Sequence, residues 1–541
     1  MGVFAKKETE SFQEYRDRVV NKLSPSFCGA KWYNATIWLG NGTTTSCHHP
    51  PAHKIPLTEL EVSYKALHNT KYKKAVRKQM MEGIRPKECE YCWKIEDLGK
   101  DKVSDRVYKS VIYTDEELKE AKETMGYTED VDLKTLEIAF DGNCNFACSY
   151  CNSSFSTTWQ KDIKVNGPYQ NLVSDGAAAF QHDGSHAMPY GRKNKDNPYV
   201  EAFWKWWEAE LQYSLRELRV TGGEPSMSPD FWKLMDWWKK NPDCKVPFAV
   251  NSNLGQKKAL LDALIEASHS FKDFTIYTSC EAVGLQAEYI RYGLEWDVWL
   301  KNMYRVNSEG NVKSVNVMMT INSLCLFSIT EFMDEMLKLK RKFGHQAAVM
   351  SFNILRFPSF QSIVTLPTEI RMERAAVLED WLNKNWRHGT NGFMDYERDG
   401  VLRLIDYIKK VDTGHEFTSS LESRIRDFRS FYQQYDKRRG KDFLKAFPQL
   451  TSWYNDIPET NLAPLTKLVD GDDAKSNRYV EGVLKQAKDE GWVLNPQWAN
   501  PGSEQYIEPD EQQQDDMIDL VSQLNKDQTS THAGSQVKKL V

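Results

Sequence analysis

Between about residues 130 and 360 of this 541-residue chain, short apolar runs alternate with segments of helical periodicity. That alternation constrains the fold more than any other feature, because consecutive strands separated by helix-length crossovers pair in parallel. Strands are expected near 133–140, 215–221, 246–251, 274–278, 315–321 and 348–355, with helices near 155–163, 229–239, 257–267, 296–307 and 329–343. Six such units predict an α/β fold built as a partial (β/α)6 TIM-like barrel. An insertion at 164–212 interrupts the first crossover; long insertions of this kind usually serve as lids or substrate loops.

The flanking regions have a different texture. Residues 1–125 hold FCGAKWYNATIWLGNGTTTSC, an alternating apolar pattern around Asn41-Gly42 that reads as a small β-hairpin, so a Cys-rich β-hairpin module is expected N-terminal to the barrel. A Lys/Arg-rich helical stretch near 67–81 and a turn carrying KECEYC follow it. Residues 365–490 read as a helical C-terminal region, and 500–541, rich in Gln, Asp and Ser, as a disordered acidic tail. Lys and Arg number 71 against 76 Asp and Glu, a net charge of −5, which argues against nucleic acid as a partner. No apolar run reaches the ~18 residues of a membrane span or the pattern of an export signal, so a cytoplasmic protein without a membrane partner is expected. In that setting the 10 cysteines are expected as metal or cofactor ligands rather than disulfides.

Directly after the first barrel strand comes FDGNCNFACSYCNSS, in which Cys144, Cys148 and Cys151 form C-x3-C-x2-C. Three thiolates this close can hold one face of a [4Fe–4S] cube and leave one iron open, the condition for a catalytic metal site. A zinc knuckle is the competing reading and needs a fourth ligand, for which His182 and His186 are candidates. After the second strand, VTGGEPSM offers Gly222 and Gly223 for close backbone approach and Glu224 as acceptor for an ammonium group.

The triplet, with Tyr150 before its last cysteine, resembles the cluster loop of the radical S-adenosylmethionine enzymes, and GGEP resembles the family motif that contacts the methionine amino group. The resemblance implies an oxidoreductase in which a [4Fe–4S] cluster reductively cleaves S-adenosylmethionine, and the resulting 5′-deoxyadenosyl radical takes hydrogen from a substrate. Cys144, Cys148 and Cys151 would ligate that cluster. Ser252 and Asn253 occupy a place where the family often keeps small polar residues. In TSCEAVGLQAEYIRYG the resemblance assigns Ser279 and Glu281 to the ribose and Arg291 to the carboxylate. By position, Asn322, Ser323 and residues 355–357 are expected at the adenosyl pocket. An electron donor such as a flavodoxin or ferredoxin is implied as a partner.

Cys28 and Cys47 bracket the hairpin, and Cys89-x2-Cys92 supplies a second pair. Four thiolates on two loops suit a second, auxiliary [4Fe–4S] cluster or a four-cysteine zinc site, and spacing does not choose between them. The hairpin phrase resembles the SPASM and twitch auxiliary-cluster modules, which implies the cluster and a peptide or protein side chain as substrate; a small molecule or nucleotide stands as the alternative. His48, His49 and His53 lie near enough to replace a ligand. Cys244, Cys280 and Cys325 are expected as buried apolar groups, and Phe203, Trp204, Trp206 and Trp207 as core or lid packing. The reading from another class is a zinc-bearing structural or interaction protein.

Overall fold

The computed structural model describes residues 3–123, 129–182, 184, 189–190, 196–386, 393–410 and 416–459. The chain divides into two compact units, Met1–Thr466 and Lys467–Val541. The second unit, which includes the expected acidic tail, lies outside the described residues, as does His186.

The protein is a mixed α/β structure organised on one nine-stranded sheet. Its strands are β1 (Asn34–Trp38), β2 (Thr43–Thr45), β3 (His53–Lys54), β4 (Thr135–Ala139), β6 (Glu217–Thr221), β7 (Phe248–Asn251), β8 (Phe274–Thr278), β10 (Ser314–Ile321) and β11 (Val349–Ile354). A separate two-residue ladder joins β5 (Ala147–Cys148) to β9 (Arg291–Tyr292). The sheet order is β11-β10-β8-β7-β6-β4-β1-β2-β3, and every pair from β1 to β11 through β4 is parallel. Each parallel strand lies beside its predecessor in the sheet. With right-handed crossovers, such one-way stepping sends the connecting helices to one face.

The helices that matter for the site are α1 (Lys71–Met81), α2 (Glu90–Glu96), α3 (Thr157–Asn166), α4 (Pro198–Trp206), α5 (Pro229–Lys240), α6 (Lys258–Ser268), α7 (Gly284–Ile290), α8 (Trp296–Glu309), α9 (Ile329–Phe343), α10 (Thr368–Asn385), α11 (Asp395–Lys409) and α12 (Leu421–Arg439). Local chemistry sets several starts: Ser156 caps α3 by accepting from the Trp159 N–H, Ser420 caps α12, and α5 opens on Pro229. Leu136, Ile138, Leu218, Val220, Phe248, Val250, Phe274 and Ile276 fill the space between sheet and helices. Trp238 of α5 sits fully buried against Phe248 and Phe271. Truncating a Trp in such a place costs about 3–5 kcal/mol.

Three features depart from the sequence expectations. The N-terminal hairpin does not stand apart: β1 pairs in parallel with β4, from Asn34↔Thr135 to Trp38↔Ala139, so the sheet crosses the expected boundary near residue 125. The region nevertheless has its own apolar core, with Tyr15, Trp32, Met80 and Trp93 around three of its cysteines. The Cys89–Cys92 pair occupies no loop turn; Cys89 ends a 3-10 turn and Cys92 lies in α2. The insertion, in its described part near 167–181, is a buttress rather than a free lid. Asp175 accepts from the Thr418 and Ser419 N–H groups, Asp427 of α12 accepts from the Val173 and Ser174 N–H groups, and Tyr169 stacks on Phe431. The aromatic run Phe203, Trp204, Trp206 and Trp207 is buried core, as expected.

Candidate functional site

Because the strands are parallel, the segments following β4, β6, β7, β8, β10 and β11 all emerge at one end of the sheet, the end at which α/β folds bind ligands. The cysteine loop follows β4. Its backbone is held from several sides: Thr158 Oγ1 donates to Cys144 O at 2.6 Å, Trp159 Nε1 donates to Cys148 O at 3.0 Å, and Ser149 N donates to Ile290 O at 2.7 Å. Ser149 and Gln361 exchange two hydrogen bonds, 2.8 and 3.1 Å, in a fully buried pair. The thiols are free and at least partly buried, and the Phe146 N–H points at Cys144 Sγ, 3.4 Å away. Burial and the neighbouring Cys148 thiol push Cys144 well up, and burial pushes Cys151 up to about 12. Such thiols stay protonated at neutral pH unless a metal takes the proton's place.

GGEP follows β6 against this loop. Gly222 adopts φ +139, and a Cβ at Gly223 would lie 2.3 Å from Asn143 O, so the motif admits no side chain there. The Glu224 N–H donates to Asn143 O at 2.6 Å. Glu224 itself is 1% exposed, and its carboxylate accepts from Ser226 Oγ (2.7 Å), Ser252 Oγ (3.0 Å) and the Asn253 N–H (2.6 Å). Burial still holds its carboxyl above the ordinary range, against the pull of those donors. Asn253 also donates to Asn145 Oδ1 (2.8 Å), tying the turn after β7 to the cysteine loop, and Leu254 beside it takes a left-handed φ of 51°.

Arg291 sits directly across the short ladder from Cys148. Its guanidinium grips Glu281 through Nη2 (2.6 Å) and Nε (3.2 Å), while Nη1 faces Cys148 Sγ at 3.8 Å. Tyr150 completes the group: its hydroxyl donates to Glu281 Oε1 at 3.1 Å, and its ring lies 5.4 Å from the guanidinium. Burial raises the Cys148 thiol, and Arg291 works against that rise. The structure thus brings Glu281 and Arg291 together as a buried pair. Ser279 is partly exposed and joins neither network among the described residues. Asn322 caps the turn at Leu324 and Cys325 through its own Oδ1, Ser323 is buried, and Phe357 stands 57% exposed. Cys280 and Cys325 are buried and Cys244 is half-buried.

Cys28, Cys47, Cys89 and Cys92, expected to act together, line one pocket with about 380 Å³ of empty volume, part of it open to solvent. His49 reaches this pocket, its Nε2 2.7 Å from Asp105 Oδ2 and its ring stacked on Tyr91. His53 bonds instead with Thr70 Oγ1, and His182 is exposed. The donor set suits a metal centre: four thiols, and a buried Ser46 hydroxyl at the pocket wall that has no hydrogen-bond partner among the described residues. Burial and the Cys47 and Cys92 thiols push Cys28 up to about 12. Zinc with Zn–S bonds of ~2.3 Å would hold thiolates ~3.8 Å apart. Among the described residues, the group of three potential ligands found with all ligand atoms within 4.8 Å of one another is His48, His49 and Asp105; neither cysteine set meets that spacing.

Sequence reasoning missed Gln361, Tyr435, Lys31 and Lys73. Tyr435 of α12 donates to Tyr289 O at 2.9 Å and packs behind the ladder, so the C-terminal helices brace the cysteine loop. No motif marks them, and their partners lie at a distance in the chain, 212 positions for Gln361 and Ser149 and 146 for Tyr435 and Tyr289.

No protein-family model and no curated protein matches the chain. Among solved structures, SuiB of Streptococcus suis bound to S-adenosylmethionine is 13% identical, with 65% of this chain and 69% of that one covered and a TM-score of 0.31. SuiB bound to the precursor peptide SuiA gives the same values. Native anSMEcpe with bound AdoMet is 15% identical over 60% of this chain and 100% of its own, with a TM-score of 0.28. No helix among the described residues is long and apolar enough to cross a membrane.

Proposed function

We propose that the chain is a radical S-adenosylmethionine oxidoreductase, its parallel strands forming a partial (β/α)6 barrel and its substrate a peptide or protein side chain. The observation that carries the reading is the meeting of three free thiols, the Glu224 carboxylate and the Arg291 guanidinium at the carboxyl end of one parallel sheet. In this reading Cys144, Cys148 and Cys151 hold a [4Fe–4S] cluster, and the cluster with S-adenosylmethionine supplies the radical that abstracts hydrogen.

The chain's own groups then have defined tasks. Gly222 and Gly223 let the backbone come against the cysteine loop, and Glu224 receives the ammonium of the methionine moiety as a charged acceptor. Glu281 occupies the Nε/Nη2 edge of Arg291, which leaves Nη1 for an anion beside Cys148, a thiolate or the methionine carboxylate. Tyr150 and Glu281 fix the guanidinium so that this edge stays aimed. The packing of the loop on Trp159 and Gln361 holds its backbone in place and buries Cys148. In this reading the pocket of Cys28, Cys47, Cys89 and Cys92 holds an auxiliary [4Fe–4S] cluster, four thiols being its full ligand set. The external electron comes from a flavodoxin- or ferredoxin-type donor.

The test is replacement of Cys144, Cys148 and Cys151 singly by Ala in anaerobically reconstituted protein. Each variant is expected to lose formation of 5′-deoxyadenosine from S-adenosylmethionine. Undiminished formation in any one of them refutes the assignment.

A further inference from the structure

At the wall of the four-thiol pocket, three donors that are not thiols converge on one point. His48 and His49 follow Cys47 directly, and Asp105 opens the short helix Asp105–Tyr108; His49 and Asp105 both line the pocket. His49 Nε2 lies 2.7 Å from Asp105 Oδ2, and His48 Nε2 lies 3.6 Å from the same oxygen. All three ligand atoms fall within 4.8 Å of one another. The rings are held in place from outside: His49 stacks on Tyr91 with centroids 3.8 Å apart and planes 15° from parallel, and the two imidazoles pack at 4.0 Å. Pro50 and Pro51 follow and restrict the backbone that carries them.

A hydrogen bond accounts for His49 and Asp105 alone. His48 Nε2, at 3.6 Å, is beyond hydrogen-bond reach of the carboxylate, yet it is turned to the oxygen that His49 uses. Two imidazole nitrogens and a carboxylate oxygen are zinc donors, and bonds of ~2.0–2.1 Å in a tetrahedron set such atoms ~3.3–3.4 Å apart. The two measured separations straddle that edge. The His48 side chain is 69% exposed, which leaves a fourth position open to water. One group opposes a metal ion: Lys109 Nζ lies 3.3 Å from Asp105 Oδ2 and donates to His48 Nδ1 at 3.1 Å. Binding at Nε2 puts the His48 proton on Nδ1, which then no longer accepts from Lys109. The ammonium therefore leaves as the ion enters.

We infer that His48, His49 and Asp105 form a zinc site separate from the four thiols, and that Lys109 is the cation zinc displaces. The ion ties the segment after β2, which carries Cys47, to the segment 105–109, and so clasps two walls of the pocket. No cysteine enters its ligand set, so the inference does not depend on what the thiols hold.

The experiment is equilibrium dialysis of the untagged full chain, reconstituted with iron and sulfide, against zinc, followed by X-ray absorption at the zinc edge. About one zinc per chain is expected, with a first shell of nitrogen and oxygen at ~2.0–2.1 Å. No uptake, or a shell containing sulfur at ~2.3 Å, overturns the inference. His48→Ala, at an exposed position that the fold does not rest on, and Asp105→Asn are each expected to weaken zinc binding by more than the ~10–100-fold that a lost outer-shell partner costs. Unchanged affinity in either overturns the ligand set. Lys109→Met is expected to bind zinc about fivefold more tightly, the Coulomb scale of one unit charge ~4 Å away in water; unchanged or weaker binding overturns the displacement. The chain carrying both Cys28→Ala and Cys89→Ala is expected to keep its zinc, and loss of the ion there assigns it to the thiols and overturns the separate site.

Discussion

Removing either half of the Arg291–Glu281 pair separates its structural role from its role at the cysteines. The side chains are 5% and 1% exposed and joined by contacts of 2.6 and 3.2 Å. Breaking a buried pair by taking one partner away costs about 3–5 kcal/mol, because the other charge is left without compensation. That is a large share of the ~5–15 kcal/mol that holds a domain together. The two variants differ in what remains. In Arg291→Met, Glu281 keeps, among the described residues, the Tyr150 hydroxyl (3.1 Å) and the distant Thr320 N–H (3.4 Å), and an anionic cluster beside it adds repulsion. In Glu281→Gln, Arg291 keeps Cys148 Sγ at 3.8 Å, and a thiolate there takes over part of the lost compensation. Urea unfolding of metal-free and reconstituted protein is the assay. Glu281→Gln is expected to cost about 3–5 kcal/mol metal-free and clearly less when reconstituted, whereas Arg291→Met gains no such relief. A cost under about 1 kcal/mol, the scale of an exposed pair, or an equal cost for Glu281→Gln in both states refutes the reasoning.

Three other outcomes follow from the site. Glu224 is raised above the ordinary glutamate value of ~4.3 by burial; only its charged form attracts an ammonium, so S-adenosylmethionine affinity should fall as pH drops through that raised value. Glu224→Gln should bind about 1.5–3 kcal/mol more weakly and lose this acid limb, as binding isotherms from acid to neutral pH would reveal. Gly223→Ala forces a Cβ to 2.3 Å from Asn143 O, a backbone atom that cannot rotate away; it should destabilise the protein by about 1–3 kcal/mol and reduce iron retention at the cysteine loop, read by unfolding and iron assay. Cys28→Ala and Cys89→Ala should each remove about four irons per chain and leave the cysteine-loop cluster in place; full iron content in either returns the pocket to another use.

Much of the sheet was legible in the chain because its strands carry their burial in their composition. Expected 274–278 and observed Phe274–Thr278 coincide, and Ser314–Ile321 alternates buried and half-buried positions along its whole length. The clustering of Cys28, Cys47, Cys89 and Cys92 was legible too, as pairs of thiols on two segments. What was not legible is pairing across distance. The hairpin pattern at Asn34–Trp38 is the same whether its outer edge is free or paired with β4, so its parallel register with Thr135–Ala139 left no local trace. Gln361 meets Ser149 across 212 positions, and Arg291 meets Cys148 across 143. Lys73 belongs to the basic helical stretch near 67–81 and Lys31 to the hairpin phrase, and nothing local marks either as buried; only the fold turns them inward.

The most direct measurement is a joint one on wild-type protein, purified without oxygen and reconstituted with iron and sulfide: iron per chain, together with 5′-deoxyadenosine formed from S-adenosylmethionine under strong reductant. The account predicts about eight irons and formation of 5′-deoxyadenosine. A colourless protein that takes up no iron and leaves S-adenosylmethionine intact would contradict it.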